Sequence, residues 1–252
     1  MDLGLKGTKA IVTGGSKGIG RAIAVMLAEE GAHVSICART KADVEATVKA
    51  LKAKGVNAYG ATLDVADGSA VKAWVEGAAK ALGGIDIVVP NVSALAIENT
   101  PEGWRKAFEV DLMHTIYTVD AAMPYLEKSK SGSIVVISSI SGVEIDFAAG
   151  PYGATKAQLI HYAKGLACQL APKGIRCNSV SPGNTYFEGG VWPMIEKNMP
   201  DLFKLALSKN KTGRMATAEE VANGAVFLAS PRASFITGTN LIIDGAVTNR
   251  VA

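Results

Sequence analysis

The chain has 252 residues, of which 48% are hydrophobic and 19% charged, with a formal net charge of +3. This composition excludes a disordered chain, and without a concentrated run of Lys and Arg it argues against nucleic acid as a partner. No stretch approaches the roughly 18 consecutive apolar residues of a membrane helix. The opening MDLGLKGTKAIVTGG lacks the basic and apolar regions of a secretory signal, so the expectation is a cytoplasmic protein with no membrane partner.

Taken in chain order, KAIVTGG (9–15) predicts a first strand and residues 17–30 a first helix. Between them, TGGSKGIG sets Gly14, Gly18 and Gly20 in a G-x-x-x-G-x-G spacing. Glycines so placed permit a tight turn, close approach of backbone to a pyrophosphate, and a helix N-terminus facing the anion. HVSICAR (33–39) predicts the second strand, followed by a helix over 41–54. An acid at the end of this strand would bind a ribose hydroxyl of NAD. The sequence instead supplies Arg39, which with Lys17 of the glycine loop suits a 2′-phosphate and predicts NADP rather than NAD. NAYGATLDV (57–65) is the third strand, with a helix over 68–82 after it. Asp64 there has two readings, an adenine contact or the N-cap of a helix over 66–82.

IDIVVPNVS (85–93) predicts the fourth strand, and 101–127 a long helix. SIVVISS (133–139), a helix over 152–171, IRCNSVSPG (175–183), a helix over 218–229 and TNLIIDG (239–245) complete the alternation. Most of these strands are apolar almost continuously, as parallel strands covered on both faces are. The prediction is one α/β domain over 1–252, a Rossmann-type doubly wound parallel sheet of about seven strands with helices on both faces. The segment 184–216 is longer than an ordinary loop and contains Trp192 and the amphipathic MPDLFKLAL, which suits a substrate lid. Three cysteines (Cys37, Cys168, Cys177) without CxxC spacing, and three histidines forming no ligand motif with them, predict no metal site and no disulfides. Each cysteine reads as a small buried hydrophobe.

PYGATKAQL (151–159) places Tyr152 and Lys156 four apart, on one face of a helix. A phenol ordinarily ionises near pH 10, and an adjacent cation favours the ionised form, which makes the pair a candidate acid and base. Taken alone, the spacing is equally that of an ordinary surface pair. Ser139 ends the fifth strand, where its hydroxyl can hold a carbonyl oxygen, while Ser138 has the opposite orientation by the two-residue period of a strand.

The glycine loop, Ser139, Tyr152 and Lys156, in this order, resemble the short-chain dehydrogenases/reductases in their compact single-domain form. LDV, PNVS, NSVSPG and GTNLIIDG extend the resemblance over nearly the whole chain. It implies catalytic roles for Ser139, Tyr152, Lys156 and, at the position of a commonly catalytic Asn, Asp111. It implies coenzyme contacts from Gly14, Ser16, Lys17, Gly18, Ile19, Gly20, Arg39, Asp64, Val65, Asn91, Tyr152, Lys156, Pro182, Gly183 and Thr185. It further implies a homotetramer, with 101–127 and 152–171 packing against symmetry mates.

Departures from the family pattern are Asp111 for Asn, Pro90 and Ser93 around the retained Asn91, and Phe187 where a Thr commonly lies. Candidate substrate residues are Ser93, Leu95, Ser139, Glu144, Ile145, Phe147, Tyr186, Phe187 and Trp192, an apolar and aromatic set suited to a cyclic or aryl ketone and its alcohol. Two other functions fit the same motifs, reduction of 3-oxoacyl groups on a carrier protein and a cofactor-binding scaffold with impaired catalysis.

Overall fold

In the computed structural model, which describes residues 2–250, the strands are β1 (Lys9–Thr13), β2 (His33–Ala38), β3 (Ala58–Thr62), β4 (Ile87–Val89), β5 (Ser133–Ile137), β6 (Arg176–Pro182) and β7 (Asn240–Ile243). They form one sheet in the order β3-β2-β1-β4-β5-β6-β7, and every neighbouring pair is parallel. The chain starts at the centre, moves outward through β2 and β3, then returns to lay β4 on the other side of β1. That reversal opens a crevice beyond the carboxyl ends of β1 and β4, where such sheets bind ligands.

The helices are α1 (Gly18–Glu29), α2 (Lys41–Lys52), α3 (Gly68–Leu82), α4 (Pro101–Ala107), α5 (His114–Leu126), α6 (Pro151–Leu170), α7 (Val191–Asn198), α8 (Pro200–Lys209) and α9 (Ala218–Ala229). Side chains of β1 alternate between two cores, as the strand period requires. Ala10 and Val12 join Ile23, Leu27 and Val226 on the face covered by α1 and α9, whereas Ile11 joins Trp74, Val119 and Leu159 on the face of α3, α5 and α6. A third, small core of Trp192, Ile195, Ala206 and Met215 holds α7 and α8 together as a lobe over 191–209.

Three sequence expectations are corrected. The long helix over 101–127 is broken in its hydrogen bonding: α4 passes into a π-helical segment, Phe108–Met113, before α5 begins. One extra residue in a turn rotates the side chains after it and is a frequent mark of functional sites. The cap of α3 is Asp67, whose carboxylate accepts the Ser69 and Ala70 N–H groups; Asp64 instead closes its own turn by accepting from Ala66 N–H at 3.0 Å. Cys168 is exposed on α6, while Cys37 and Cys177 are buried.

The far end of the sheet is fastened by one buried cation. Arg176, at the start of β6, donates to the carbonyls of Leu228 (2.6 Å), Ala229 (3.1 Å) and Ser230 (3.0 Å), the end of α9. These carbonyls have no intrahelical partner and carry the negative end of the helix dipole, so a guanidinium fork is matched to them in charge and geometry. Arg176→Met keeps the volume and removes every donor. It is expected to lower the unfolding free energy by about 2–4 kcal/mol in urea titration, with the sheet's order unchanged.

Candidate active site

The crevice is built on the glycine loop. Gly18 has φ of +52°, a conformation that side chains resist, and a Cβ there would run into the ring of Phe187. A Cβ on Gly20 would strike Gly14 O and the amide of Asn91. The loop therefore packs backbone on backbone and opens α1 with no acid in its first turn and no side-chain cap on its N-terminal N–H groups. This cradle fits a pyrophosphate, because the uncapped amides and the helix dipole both favour an anion. Thr13 fixes the opposite wall: its hydroxyl accepts from Asn91 N–H at 2.8 Å, and its carbonyl accepts from the Asn91 side chain at 3.1 Å.

Two adjoining cavities meet at this loop. One, of about 550 Å³, is lined by Gly14, Ser16, Lys17, Arg39, Asp64 and Val65 among others, the set expected around an adenosine half. Arg39 makes no salt bridge or side-chain hydrogen bond among the described residues, so its guanidinium is free. Lys17, by contrast, is paired with Asp43 of α2 at 2.9 Å. Sequence reading missed that carboxylate; its signal was an acid in the first turn of the helix immediately after Arg39.

The second cavity, of about 310 Å³, brings Ile19, Asn91, Ser93, Leu95, Ser139, Tyr152, Lys156, Pro182, Gly183, Thr185, Phe187 and Trp192 together. Lys156 is only 2% exposed, and its Nζ lies 5.6 Å from the centre of the Tyr152 ring and 3.4 Å from Ile137 O. Ser138, just beyond β5, also lines the cavity and donates to Lys156 O at 2.8 Å, which fastens the end of β5 to α6. Ser139 Oγ accepts from Ser141 N–H (3.2 Å) and donates toward Ser141 Oγ (3.3 Å), while Ser141 donates to Asp146 at 2.6 Å.

Other candidates lie elsewhere. Glu144, Ile145 and Phe147 line a separate cavity of about 220 Å³ with Leu202 and Leu205. Phe147 packs edge-on against Trp192, ring centres 6.1 Å apart, at the boundary between the two spaces. Tyr186 is 40% exposed and donates to Glu196 at 2.6 Å. Thr185 spends its hydroxyl on Gly183 O. Asp111 does not line the cavity at all. It sits behind Lys156, with Oδ1 3.3 Å from Nζ.

A sequence profile of the family described as enoyl-(acyl carrier protein) reductase matches residues 14–248. Isoepoxydon dehydrogenase of Penicillium expansum is 40% identical over 249 residues, spanning 97% of this chain and 96% of that protein. Dehydrogenase/reductase SDR family member 4 of Rattus norvegicus is 32% identical, spanning 96% and 88% respectively. Among solved structures, L-sorbose reductase of Gluconobacter frateurii, complexed with NADPH and L-sorbose, is 31% identical and aligns over 100% of both chains with a TM-score of 0.88.

His114, in the sequence only one of three histidines without a ligand motif, is enclosed beside this centre. Its Nε2 is 3.3 Å from Thr13 Oγ1, and its Nδ1 has no hydrogen-bond partner among the described residues. Burial pushes the imidazole down from its ordinary 6.5 to about 4; Asp111 works against that shift and Lys156 with it. Between those values the unfolded chain binds a proton that the folded chain refuses. The stability due to a neutral His114 is complete above about pH 6.5 and is lost as pH falls toward 4, a span worth about 3 kcal/mol. Urea titrations at pH 7 and pH 4 are expected to show that much less acid sensitivity in His114→Gln than in the unaltered protein.

Proposed function

The chain belongs to the short-chain dehydrogenase/reductase family of nicotinamide-dependent oxidoreductases, and on that premise we propose that it interconverts a neutral, apolar cyclic or aryl ketone and its secondary alcohol with NADP as coenzyme. One observation carries the substrate class. Among the described residues, the only titratable side chains lining the catalytic cavity are Lys17, Tyr152 and Lys156, and both lysines are already paired, with Asp43 and Asp111. No free cation remains there to hold a carboxylate or phosphate on the substrate. Leu95, Ile97, Ile145 and Phe147, all at least half exposed, add an apolar fringe around the 91–97 and 144–147 loops.

The coenzyme supplies or accepts the hydride. Gly14, Ser16, Gly18, Ile19 and Gly20 would hold its pyrophosphate, Asp64 and Val65 its adenine, and Pro182, Gly183 and Thr185 its nicotinamide end. Tyr152 gives its proton to the carbonyl oxygen in reduction and takes it back in oxidation. Lys156, beside the ring, stabilises the phenolate that proton transfer leaves. Ser139 turns its O–H from Ser141 to the substrate oxygen, where negative charge develops. Ser141 does not compete for that position, since its own hydrogen is held by Asp146.

The lobe over 191–209 serves as the lid in this reading. The protein works as a homotetramer in the cytoplasm. Trp104 (43% exposed) and Phe108 (49%) leave apolar surface on the 101–126 helix for a symmetry mate. The three thiols are free, as suits a reducing compartment. Sedimentation at micromolar concentration and cell fractionation test these points.

A panel of neutral ketones, keto acids and carrier-protein thioesters, followed at the reduced-nicotinamide absorbance, tests the reaction. The neutral ketones are expected to turn over best; preference for a thioester or a keto acid overturns the assignment. With the best substrate, Tyr152→Phe is expected to lose about 100-fold or more in kcat while NADPH affinity stays within about twofold.

The coenzyme reading gives a further test. Arg39→Ala is expected to weaken NADPH binding roughly 10- to 100-fold and to leave NADH nearly unchanged. Asp43→Asn frees Lys17 and removes a negative charge near the same pocket, so it is expected to tighten NADPH more than NADH. Tryptophan fluorescence titration measures both; equal effects on the two coenzymes refute the 2′-phosphate site.

A further inference from the structure

Asp111 is wholly buried in the π-helical segment, and its two carboxylate oxygens have different duties. Oδ2 accepts the Ala94 N–H at 2.8 Å. Oδ1 lies 3.3 Å from Lys156 Nζ, the two side chains being 1% and 2% exposed. That second contact is a pairing of charges without hydrogen-bond alignment, so Oδ1 has no hydrogen-bond partner among the described residues.

The Ala94 contact falls on a strained loop. Leu95 is a non-glycine residue at φ +50°, and its N–H is held by Ser93 Oγ at 3.0 Å. Ser93 and Leu95 both line the catalytic cavity, and Ala94 between them is tied to Asp111. A conformation of this kind persists only where surrounding contacts impose it. The carboxylate is one of those contacts.

Among the described residues, the charge of Lys156 has no other counterion. Around it, α6 contributes Tyr152, β5 contributes only the Ile137 carbonyl, and α5 contributes His114, which burial keeps neutral. Asp146, beyond the turn after β5, is committed to Ser141 and Ala148. Glu109 on the π-helical segment and Arg105 and Lys106 on α4 are exposed to solvent. Among the described residues, Asp111 is the one charged group that meets the ammonium.

We propose that Asp111 is a positioning residue that acts at both places: it holds the loop carrying Ser93 and Leu95, and it offsets the charge of Lys156 beside Tyr152. A lysine so paired favours the phenolate less than an unpaired one. The protonated form of Tyr152, the one that reduces a carbonyl, is therefore retained to higher pH than it is with a neutral residue at position 111. The proposal rests on the reading of Tyr152 as the acid and base, and its test needs neither substrate nor coenzyme.

Phenolate absorbance is titrated in the unaltered protein and in Asp111→Asn, each against its own Tyr152→Phe background. The Tyr152 step is expected about one pH unit or more lower in Asp111→Asn; coincident steps overturn the charge role. Hydrogen exchange over 93–95 tests the loop. Asp111→Asn keeps an acceptor for Ala94 N–H and Asp111→Ala does not, so exchange is expected to rise at least tenfold in the Ala variant and far less in the Asn variant. Equal rates in all three proteins overturn the loop role.

If Asp111→Asn does not fold, the pair is read by melting midpoint. Asp111→Leu combined with Lys156→Met is expected to melt above each single variant, because no charge is then left buried alone. A double variant no more stable than the singles overturns the pairing. Failure of every ketone in an activity panel would count against the oxidoreductase reading and leave these results standing.

Discussion

A lysine ammonium enclosed at 2% exposure has to be compensated, and the surroundings of Lys156 are organised around that requirement. The carbonyl of Ile137 comes from β5, the carboxylate of Asp111 from the π-helical segment, and Ser138 ties the strand to the backbone of Lys156 itself. Three elements distant in sequence are thereby fixed to one another at the carboxyl end of the sheet. Tyr152, one turn earlier on α6, takes its place from the same helix. Ser139, two residues past the strand, takes its place by capping the turn at Ile140–Gly142. The constellation is rigid because a buried charge tolerates few arrangements.

The coenzyme side obeys a steric constraint instead. Gly20 brings α1 against Gly14 and Asn91 so closely that no side chain fits, and Asn91 is in turn pinned by Thr13. Loop, helix terminus and the strand-end turn after β4 form one assembly around a cradle of uncapped backbone N–H groups. Phe187 rests on Gly18 from the other side and joins the 184–190 segment to that loop. The lobe over 191–209 therefore starts from the glycine loop and ends, through Trp192, at the catalytic cavity.

Charge pairing gives the crevice its character. A cavity lined by two lysines looks, from composition, suited to anions. Asp43 and Asp111 reverse that expectation at Lys17 and Lys156, while among the described residues Arg39 and Lys106 stay unpaired in the cavity beside the glycine loop. The crevice thus separates a polar cavity, where Arg39 and Lys106 are unpaired among the described residues, from a more apolar one whose lysines are internally balanced.

The sheet, its helices and the glycine cradle were legible in the sequence because they rest on local rules. Continuous Val and Ile runs mark buried parallel strands, and Gly14, Gly18 and Gly20 mark a turn no other residue fits. The same holds for Tyr152 and Lys156, whose spacing belongs to a single helix. What the sequence could not yield were pairings across elements. Asp43 finds Lys17 from another helix, and Asp111 reaches Lys156 from 45 residues away because a π turn rotates it inward. His114 became a buried neutral base only when α5 closed over Thr13. Glu144, Ile145 and Phe147 left the catalytic cavity for its neighbour, since the path of a loop is decided by packing at its two ends. Composition and periodicity determine which face of an element is buried. Which charge meets which, and hence the electrostatics of the site, is decided by the tertiary structure, because Coulomb pairing depends on distances that chain order does not set.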